Sequence, residues 1–238
     1  MIAILCAAAP AGARSELVAT FYAGGTLTAN TTVRLTQPDG TDLEFAGVAW
    51  SGESFVSPIY YAIRIAYWPA RSASWGIAAE FIHDKLIADL DGTVTVTGTR
   101  AGDPVDAREP LGASFRGLSF SHGHNLLFMN AQYRWLGRHP GNGGFRDRLE
   151  PHAGLGVGIA LPHVEVDTGS TPTEEYQMAG FAWQAFAGVR LALAWGFSAV
   201  PEYKLTYARI DGELSGGGIV RVRPWTQNLV IGLSYRFP

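Results

Sequence analysis

The sequence Trp225-Thr-Gln-Asn-Leu-Val-Ile-Gly-Leu-Ser-Tyr-Arg-Phe237 lies near the carboxyl end of this 238-residue chain. Successive side chains of a β-strand point to opposite sides, so odd and even positions form two separate faces. The odd positions are largely apolar, with Trp225 at one end and Tyr235 and Phe237 at the other, whereas the even positions are small or polar. This pattern is typical of a transmembrane strand of a bacterial outer-membrane β-barrel, whose apolar outer band lies between two aromatic girdles.

The composition favours the same class. Hydrophobic residues make up 47% of the chain and charged residues only 16%, against about 25% charged in ordinary soluble domains. No apolar run reaches the roughly 18 residues that a membrane-spanning helix needs. The net charge of −3 gives no basic surface, and no nucleic-acid-binding motif is found, so nucleic acid is excluded as a partner.

The first 13 residues resemble the apolar core and small-residue cleavage site of a secretory signal, although the usual positive leader is missing. The alternative is a disordered apolar tail. The single cysteine, Cys6, would be removed with this segment, so we expect no disulfide. We therefore predict a signal segment over residues 1–13 and a single barrel domain over 14–238.

Seven further segments share the alternation of the terminal strand. The eight predicted strands cover residues 17–35, 56–68, 74–87, 118–135, 149–167, 176–193, 197–210 and 225–237. We predict an eight-stranded antiparallel up-and-down transmembrane β-barrel. The shorter links, 69–73, 136–147 and 194–196, should face the periplasm with both termini. The links 36–55, 88–117, 168–175 and 211–218 should face outside.

The predicted inward positions carry charges of both signs, which can pair inside a closed barrel. They are Arg64, Glu80, Asn130, Gln132, Arg134, Gln184, Arg190, Glu202, Lys204 and Arg236. Because side chains fill an eight-stranded barrel, we predict a filled lumen and no open pore.

Four histidines should meet at the outer ends of neighbouring strands, together with Asp84, Lys85, Glu165 and Asp167. They are His83, His122, His124 and His163. Imidazoles beside carboxylates suit general acid–base catalysis or divalent-metal binding, but they also suit a merely polar rim.

The strand pattern also predicts which way these side chains face. His83, His163 and Glu165 should face the lipid, whereas His122 and His124 should point inward unless a bulge near Gly123 reverses them. Lipid-facing groups at this level are well placed for the headgroup of an outer-leaflet lipid, which suggests lipopolysaccharide.

Several strings resemble the lipid A oxidase family of α-proteobacterial outer membranes, over roughly residues 45–237. They are Glu80-Phe-Ile-His-Asp-Lys85, Ser121-His-Gly-His-Asn125, Asn130-Ala-Gln-Tyr-Arg-Trp135, Pro151-His-Ala-Gly-Leu-Gly-Val-Gly158, Pro162-His-Val-Glu-Val166 and Glu202-Tyr-Lys204. The resemblance implies oxidation of the proximal glucosamine of lipid A to 2-aminogluconate, with molecular oxygen as co-substrate and release of hydrogen peroxide. It makes lipid A, within lipopolysaccharide, the expected partner of a monomeric barrel.

On this hypothesis the catalytic residues are His83, Asp84, His124, His163 and Glu165. His163 assisted by Glu165 would take a proton from the anomeric hydroxyl. A divalent metal ion would be held by histidines, with His122, His124 and His163 as the predicted ligands and His83 as a further candidate. Lys85 would pair with a lipid A phosphate. No flavin or nicotinamide fingerprint is present, so neither cofactor is expected.

Two other functions stay open. One is a non-catalytic surface barrel, in which the links 36–55 and 88–117 contact ligands or other surfaces. The other is a lipid A hydrolase or acyltransferase, in which Ser119 or Ser121 would be activated by the neighbouring His122 or His124.

Overall fold

The structure is a computed structural model that describes residues 14–70, 74–136 and 148–238. Seventeen β-strands and one short 3₁₀ turn, Leu111–Ala113, make up its regular structure. The strands are β1 Glu16–Thr28, β2 Thr31–Thr36, β3 Asp42–Val48, β4 Trp50–Ser51, β5 Tyr61–Trp68, β6 Trp75–Ala88, β7 Thr93–Arg100, β8 Asp103–Pro110, β9 Gly117–Arg134, β10 Leu149–Ala160, β11 His163–Asp167, β12 Thr173–Tyr176, β13 Gly180–Ala192, β14 Phe197–Ala208, β15 Ile210–Glu213, β16 Ile219–Val222 and β17 Trp225–Arg236. Among these residues, no helix is long and apolar enough to cross a bilayer.

Eight of the strands close into one antiparallel barrel. Their order is β9-β10-β13-β14-β17-β1-β5-β6, and β6 pairs with β9 to complete the ring. The terminal strand β17 lies between β14 and β1, so the two ends of the barrel sequence meet there. The predicted eight-stranded up-and-down barrel is therefore confirmed.

The two faces of each barrel strand differ as the alternation predicts. On β17, Leu229 and Ile231 are 73% and 61% exposed, whereas Asn228 and Val230 are almost fully buried. Exposed apolar side chains of this kind form a band around the barrel, which only a lipid environment makes favourable.

Aromatic side chains gather at both ends of this band. Trp225 contacts Trp183 and Tyr207 at one end, with ring centroids 5.2 and 5.1 Å apart. At the other end, Tyr235 lies 5.0 Å from Phe197. Ten residues separate Trp225 from Tyr235, which is about 25 Å of membrane depth for a strand tilted by about 40°.

A charged network fills the lumen. Arg64 donates to Glu80 and Glu202, with its Nη2 atom 2.8 Å from each carboxylate, and Lys204 also donates to Glu80. His152 adds a 2.7 Å contact between its Nε2 atom and Glu202. Two buried cations therefore balance two buried carboxylates, which is the condition under which buried charge is tolerated.

The predicted inward residues are buried, with one exception. Arg236 is the last residue of β17, where the strand leaves the barrel, and its exposed guanidinium lies 3.2 Å from Glu16. This position was predicted inside the lumen and instead lies at the barrel end that carries the termini, because the enclosing walls end there.

The longer links form a second sheet rather than irregular loops. Its order is β15-β16-β2-β3-β7-β8, and it extends beyond the barrel end that carries β11 and β12. In β7, Val94 and Val96 are buried, whereas Thr93, Thr95 and Thr97 are exposed. This alternation is that of a strand, and the buried side adds to the same hydrophobic core as the upper barrel. The link predicted over residues 88–117 therefore contains two strands, β7 and β8.

Four barrel strands also begin or end differently from the prediction. The first ends at Thr28, and residues 31–36 belong to the second sheet, while the sixth begins at Gly180. The second barrel strand begins at Tyr61, and the preceding residues form a loop that exposes Phe55 and Val56. The fifth stops at Ala160 because Pro162, which has no N–H to donate, interrupts the ladder before β11. The predicted signal segment and most of the predicted links 69–73 and 136–147 lie outside the described residues.

Candidate functional site

The site lies where β10 ends and β11 takes its place beside β9. Glu165 of β11 is opposite Ser119 of β9, and Val166 is opposite Leu118. Within β11, Val164 and Val166 are buried in the core, so His163 and Glu165 face outward, as predicted. The alternation of this short strand therefore presents both side chains on the outer surface of the barrel.

A bulge in β9 brings His122 to the same surface. Asp84 pairs with His124 and Leu86 pairs with Phe120, so one residue of β6, Lys85, is opposite three residues of β9. The last of these three residues, Gly123, has a φ of +133°, and a Cβ atom there would lie 2.7 Å from the Asn125 amide. Only glycine suits this position.

The size of this bulge decides the facing of the two histidines. It contains two extra residues, an even number, so Phe120 and His124 keep the same inward parity on either side of it. His122, inside the bulge, instead projects outward and is exposed. A bulge near Gly123 was predicted as a means of reversing His122 and His124, and in the structure it reverses His122 alone.

Glu165 is the centre of the resulting cluster. Its Oε1 atom lies 2.5 Å from Nδ1 of His122 and 2.9 Å from Nδ1 of His163, and it also accepts the backbone N–H of His122 at 3.0 Å. Its Oε2 atom accepts the hydroxyls of Ser119 and Ser121, each at 2.6 Å. One carboxylate therefore holds two imidazoles and two serines.

Five hydrogen-bond contacts to a single carboxylate stabilise its ionised form. Partial desolvation raises the pKa of Glu165, but the hydrogen bonds from the serines and histidines outweigh it and lower that pKa from 4.5 to about 2. The carboxylate is therefore an acceptor at any physiological pH, so both neighbouring Nδ1 atoms must carry hydrogen. In the neutral imidazoles this leaves the two Nε2 atoms with free lone pairs.

This donor set suits a cation. One ligand atom from each of His122, His163 and Glu165 can be chosen so that all three lie within 4.8 Å of one another. His122 is exposed, so positions beyond the three protein ligands are open to a substrate. Two imidazoles and one carboxylate with open positions are the arrangement typical of non-haem iron oxygenases.

The other predicted histidines lie apart from this cluster. Nδ1 of His124 is 2.8 Å from Asp84, and both side chains are almost completely buried on the inward side. Nδ1 of His83 is 2.8 Å from the amide oxygen of Asn125. The predicted metal set contained His124; in the structure Glu165 takes that place beside His122 and His163, because His124 points to the opposite side of the sheet.

Lys85 is held by the loop before β5. Its Nζ atom donates to the carbonyl of Val56 at 3.0 Å and lies 3.7 Å from the Glu53 carboxylate, and the residue is only 4% exposed. The predicted contact with a lipid phosphate is therefore not available in this conformation. Asp167 also lies outside the cluster, where its Oδ1 atom accepts the backbone N–H of Gly169 at 2.7 Å.

Two further contributors were not predicted from the sequence. The ring of Tyr176 contacts His163 edge-on at 4.6 Å, and its hydroxyl donates to the carbonyl of His122 at 3.1 Å. No role was predicted for Asn125, which is the hydrogen-bond partner of His83. Tyr176 pairs with His163 across β11 and β12, so a hairpin predicted over these residues would have indicated it.

The closed eight-stranded barrel, its apolar band and its two aromatic girdles define an integral outer-membrane β-barrel protein. Neither the protein-family models nor the curated proteins give a match to this chain. Among solved structures, it is similar to the outer membrane protein AlkL, with 17% identity and a TM-score of 0.45 over 100% of this chain and 97% of that one.

Two other solved structures give comparable values. A major outer membrane protein from Thermus thermophilus has 12% identity and a TM-score of 0.46, over 94% of this chain and 99% of that one. The outer membrane protease OmpT from Escherichia coli has 9% identity and a TM-score of 0.45, over 93% of this chain and 97% of that one.

Proposed function

We propose that this barrel is an outer-membrane enzyme that oxidises the proximal glucosamine of lipid A with molecular oxygen, at the cluster of His122, His163 and Glu165. The observation that carries the proposal is a set of two imidazoles and one carboxylate, with open positions, on the lipid-facing side of the outer rim. The sequence resemblance to lipid A oxidases supports the same reaction.

The cluster fits a divalent metal ion by the chemistry of its donors. His122 and His163 offer neutral nitrogen ligands and Glu165 an anionic oxygen, and their ligand atoms can lie within 4.8 Å of one another. Bound there, an iron-like ion would provide the redox step between the sugar and oxygen.

The remaining work falls to the protein side chains. Without a metal ion, Oε1 of Glu165 accepts from both imidazoles through their Nδ1 atoms, and a bound ion would take the place of those two protons. The second oxygen of Glu165 is held by Ser119 and Ser121. Such outer partners hold the ligands of a metal site in position and set their protonation. Tyr176 packs edge-on against His163 and holds its ring in place.

The overall reaction balances without another reductant. The C1–H and anomeric O–H of the sugar hemiacetal give two electrons and two protons to oxygen, which becomes hydrogen peroxide. The sugar becomes a lactone, and water opens it to 2-aminogluconate. Both steps take place at the headgroup, so the enzyme needs access to the outer leaflet but not to the lumen. All the cluster residues belong to one chain, and we expect a monomer.

The test is to incubate the purified barrel with lipid A and oxygen after metal removal and after loading with ferrous ion. We expect peroxide release and a product that gains one oxygen atom, both dependent on the metal. Glu165→Gln and His163→Ala should abolish turnover. Glu175→Gln is the matched control, because Glu175 is an exposed acid of the same hairpin that bonds only Gln177 among the described residues.

Other outcomes would identify other functions. Metal-independent oxidation that still requires His163 would return His163 to its predicted role as general base, since the single free lone pair of a neutral imidazole cannot bind a metal ion and accept a proton together. Acyl release would favour a serine hydrolase, although Ser119 and Ser121 both donate to Glu165 at 2.6 Å and the contact of Ser121 with Nδ1 of His122 is longer, at 3.4 Å. No change of any kind in the histidine variants would favour a non-catalytic barrel.

A further inference from the structure

We propose that an apolar groove on the lipid-facing wall, directly below the His122/His163/Glu165 cluster, holds an acyl chain of the lipid whose sugar reaches that cluster. The inference rests on the proposed function and adds how the substrate is positioned. It concerns the wall formed by β6, β9 and β10.

The groove has a volume of about 360 Å³, at the lower end of the range of small-molecule sites. It is lined by Ala79, Leu127, Phe128, Met129, Val157, Gly158 and Ile159. In the strand register, Met129 is opposite Ala79 on one side and Val157 on the other, and Leu127 is opposite Ile159. The lining therefore spans three adjacent strands at one height in the membrane.

Small residues explain why the wall is concave here. Ala79 is an outward-facing methyl group between two strands that carry larger side chains. Gly158 allows β10 to approach β9 closely, since a Cβ atom there would lie 2.0 Å from the Leu127 carbonyl oxygen. The neighbouring Leu127, Met129 and Val157 project outward and form the sides.

The outward-facing residues become polar toward the catalytic cluster. Above Leu127 in β9 comes Asn125, which bonds His83 of β6, and above these lie Lys85 and the bulge that carries His122. Along β10 and β11, His163 follows Ile159 by four residues, or about 13 Å. A lipid changes in the same order, from acyl chain through its linking carbonyl to the sugar.

The polar row between groove and cluster has an unused hydrogen-bonding atom. Nε2 of His83 is buried and has no hydrogen-bond partner among the described residues, and such a group calls for an explanation. Because Nδ1 of His83 donates to the Asn125 oxygen, Nε2 of the neutral ring is an acceptor. The amide N–H that joins an acyl chain to glucosamine would lie at this height as a donor. A soluble protein partner would not reach a groove that opens into the hydrocarbon layer.

The groove is tested by filling it. Ala79→Trp places a large ring in the groove, and Ile231→Trp, at an exposed position on the opposite wall, is the matched control. Each variant is assayed with intact lipid A and with lipid A stripped of its acyl chains. A second measurement uses a lipid A analogue with a photoreactive acyl chain, and the cross-linked residues are mapped by mass spectrometry. Heat-modifiable migration in electrophoresis checks that each barrel is folded.

We expect Ala79→Trp to raise KM for intact lipid A about tenfold, as for the loss of about two buried methylene groups, with kcat unchanged. The stripped substrate and Ile231→Trp should behave as in the wild type, and cross-links should fall on Met129 and Val157. An unchanged KM in folded Ala79→Trp, or cross-links spread evenly around the barrel, would overturn the proposal. If the wild type oxidises nothing, the proposed function fails and the cross-linking pattern alone decides the groove.

Discussion

The substitution Glu165→Gln tests the candidate site most directly, because it removes the charge but keeps the size of the side chain. The pKa of Glu165 is lowered from 4.5 to about 2, which in a dry site corresponds to a preference for the anion of about 3 kcal/mol. Screening at this partly exposed position reduces the preference to about 1.5 kcal/mol, or about tenfold in an equilibrium constant. The new amide NH₂ must also face groups that donate hydrogen bonds, so tenfold is a lower limit.

Because Glu165→Gln also replaces an anionic oxygen ligand by a neutral amide, it should weaken ferrous-ion affinity about tenfold or more, and lower kcat/KM for lipid A oxidation at least as much. The first effect is measured by calorimetry or metal analysis of the purified barrel, and the second by peroxide release. Glu175→Gln, on the same hairpin, should match the wild type in both. If Glu165→Gln binds the ion and turns over within threefold of the wild type, Glu165 neither ligates nor orients, and the reasoning is refuted.

Three other predictions concern pH, the serines and the lumen. Because the folded-state pKa of Glu165 is depressed, the stability difference between wild type and Glu165→Gln should be complete above pH 4.5 and should vanish as the pH falls through about 2; urea unfolding in liposomes would measure it. Ser121→Ala should retain oxidation, and a serine-reactive probe should leave Ser121 unlabelled, since its hydroxyl donates to Glu165; strong labelling would contradict this. Lys204→Met should cost about 3–5 kcal/mol by leaving an unbalanced carboxylate in the lumen, and adding Glu80→Gln should recover part of it; equal stability of all three proteins would argue against the charge balance.

The candidate site and the charged network of the lumen lie on opposite sides of the barrel wall. The lumen is occupied by a balanced network around Arg64, Glu80, Glu202 and Lys204, whose members satisfy one another. The proposed cluster instead lies outside the barrel wall, where an outer-leaflet lipid can approach laterally. Substitutions in the lumen should therefore affect stability, and substitutions at the cluster should affect turnover.

The strand pattern predicted most of the barrel because lipid contact imposes a strict period of two. In β17 the odd positions are largely exposed and the even positions largely buried, as predicted. Glu80 in β6 and Glu202 in β14 are buried, as was also predicted. The pattern also predicted that His163 and Glu165 share the outer face. Each of these statements depends only on neighbouring positions in one strand.

The second sheet and the grouping of the histidines depend on how strands meet. The period within residues 93–97 indicates a strand, but its partner β3 lies about 50 residues earlier in the chain. Likewise, the sequence placed four histidines at one rim, whereas the structure separates His122 and His163 from the inward His124 and from His83.

The sequence by itself determined the class of protein, because alternating apolar residues with aromatic ends leave few other stable arrangements in a membrane. Only the tertiary structure decided the composition of the candidate site. The bulge in β9 contains two extra residues, whereas one extra residue would reverse the facing of the rest of the strand. It turns His122 outward while His124 stays inward. The length of a bulge is set by the register between β6 and β9, and no single strand contains that information.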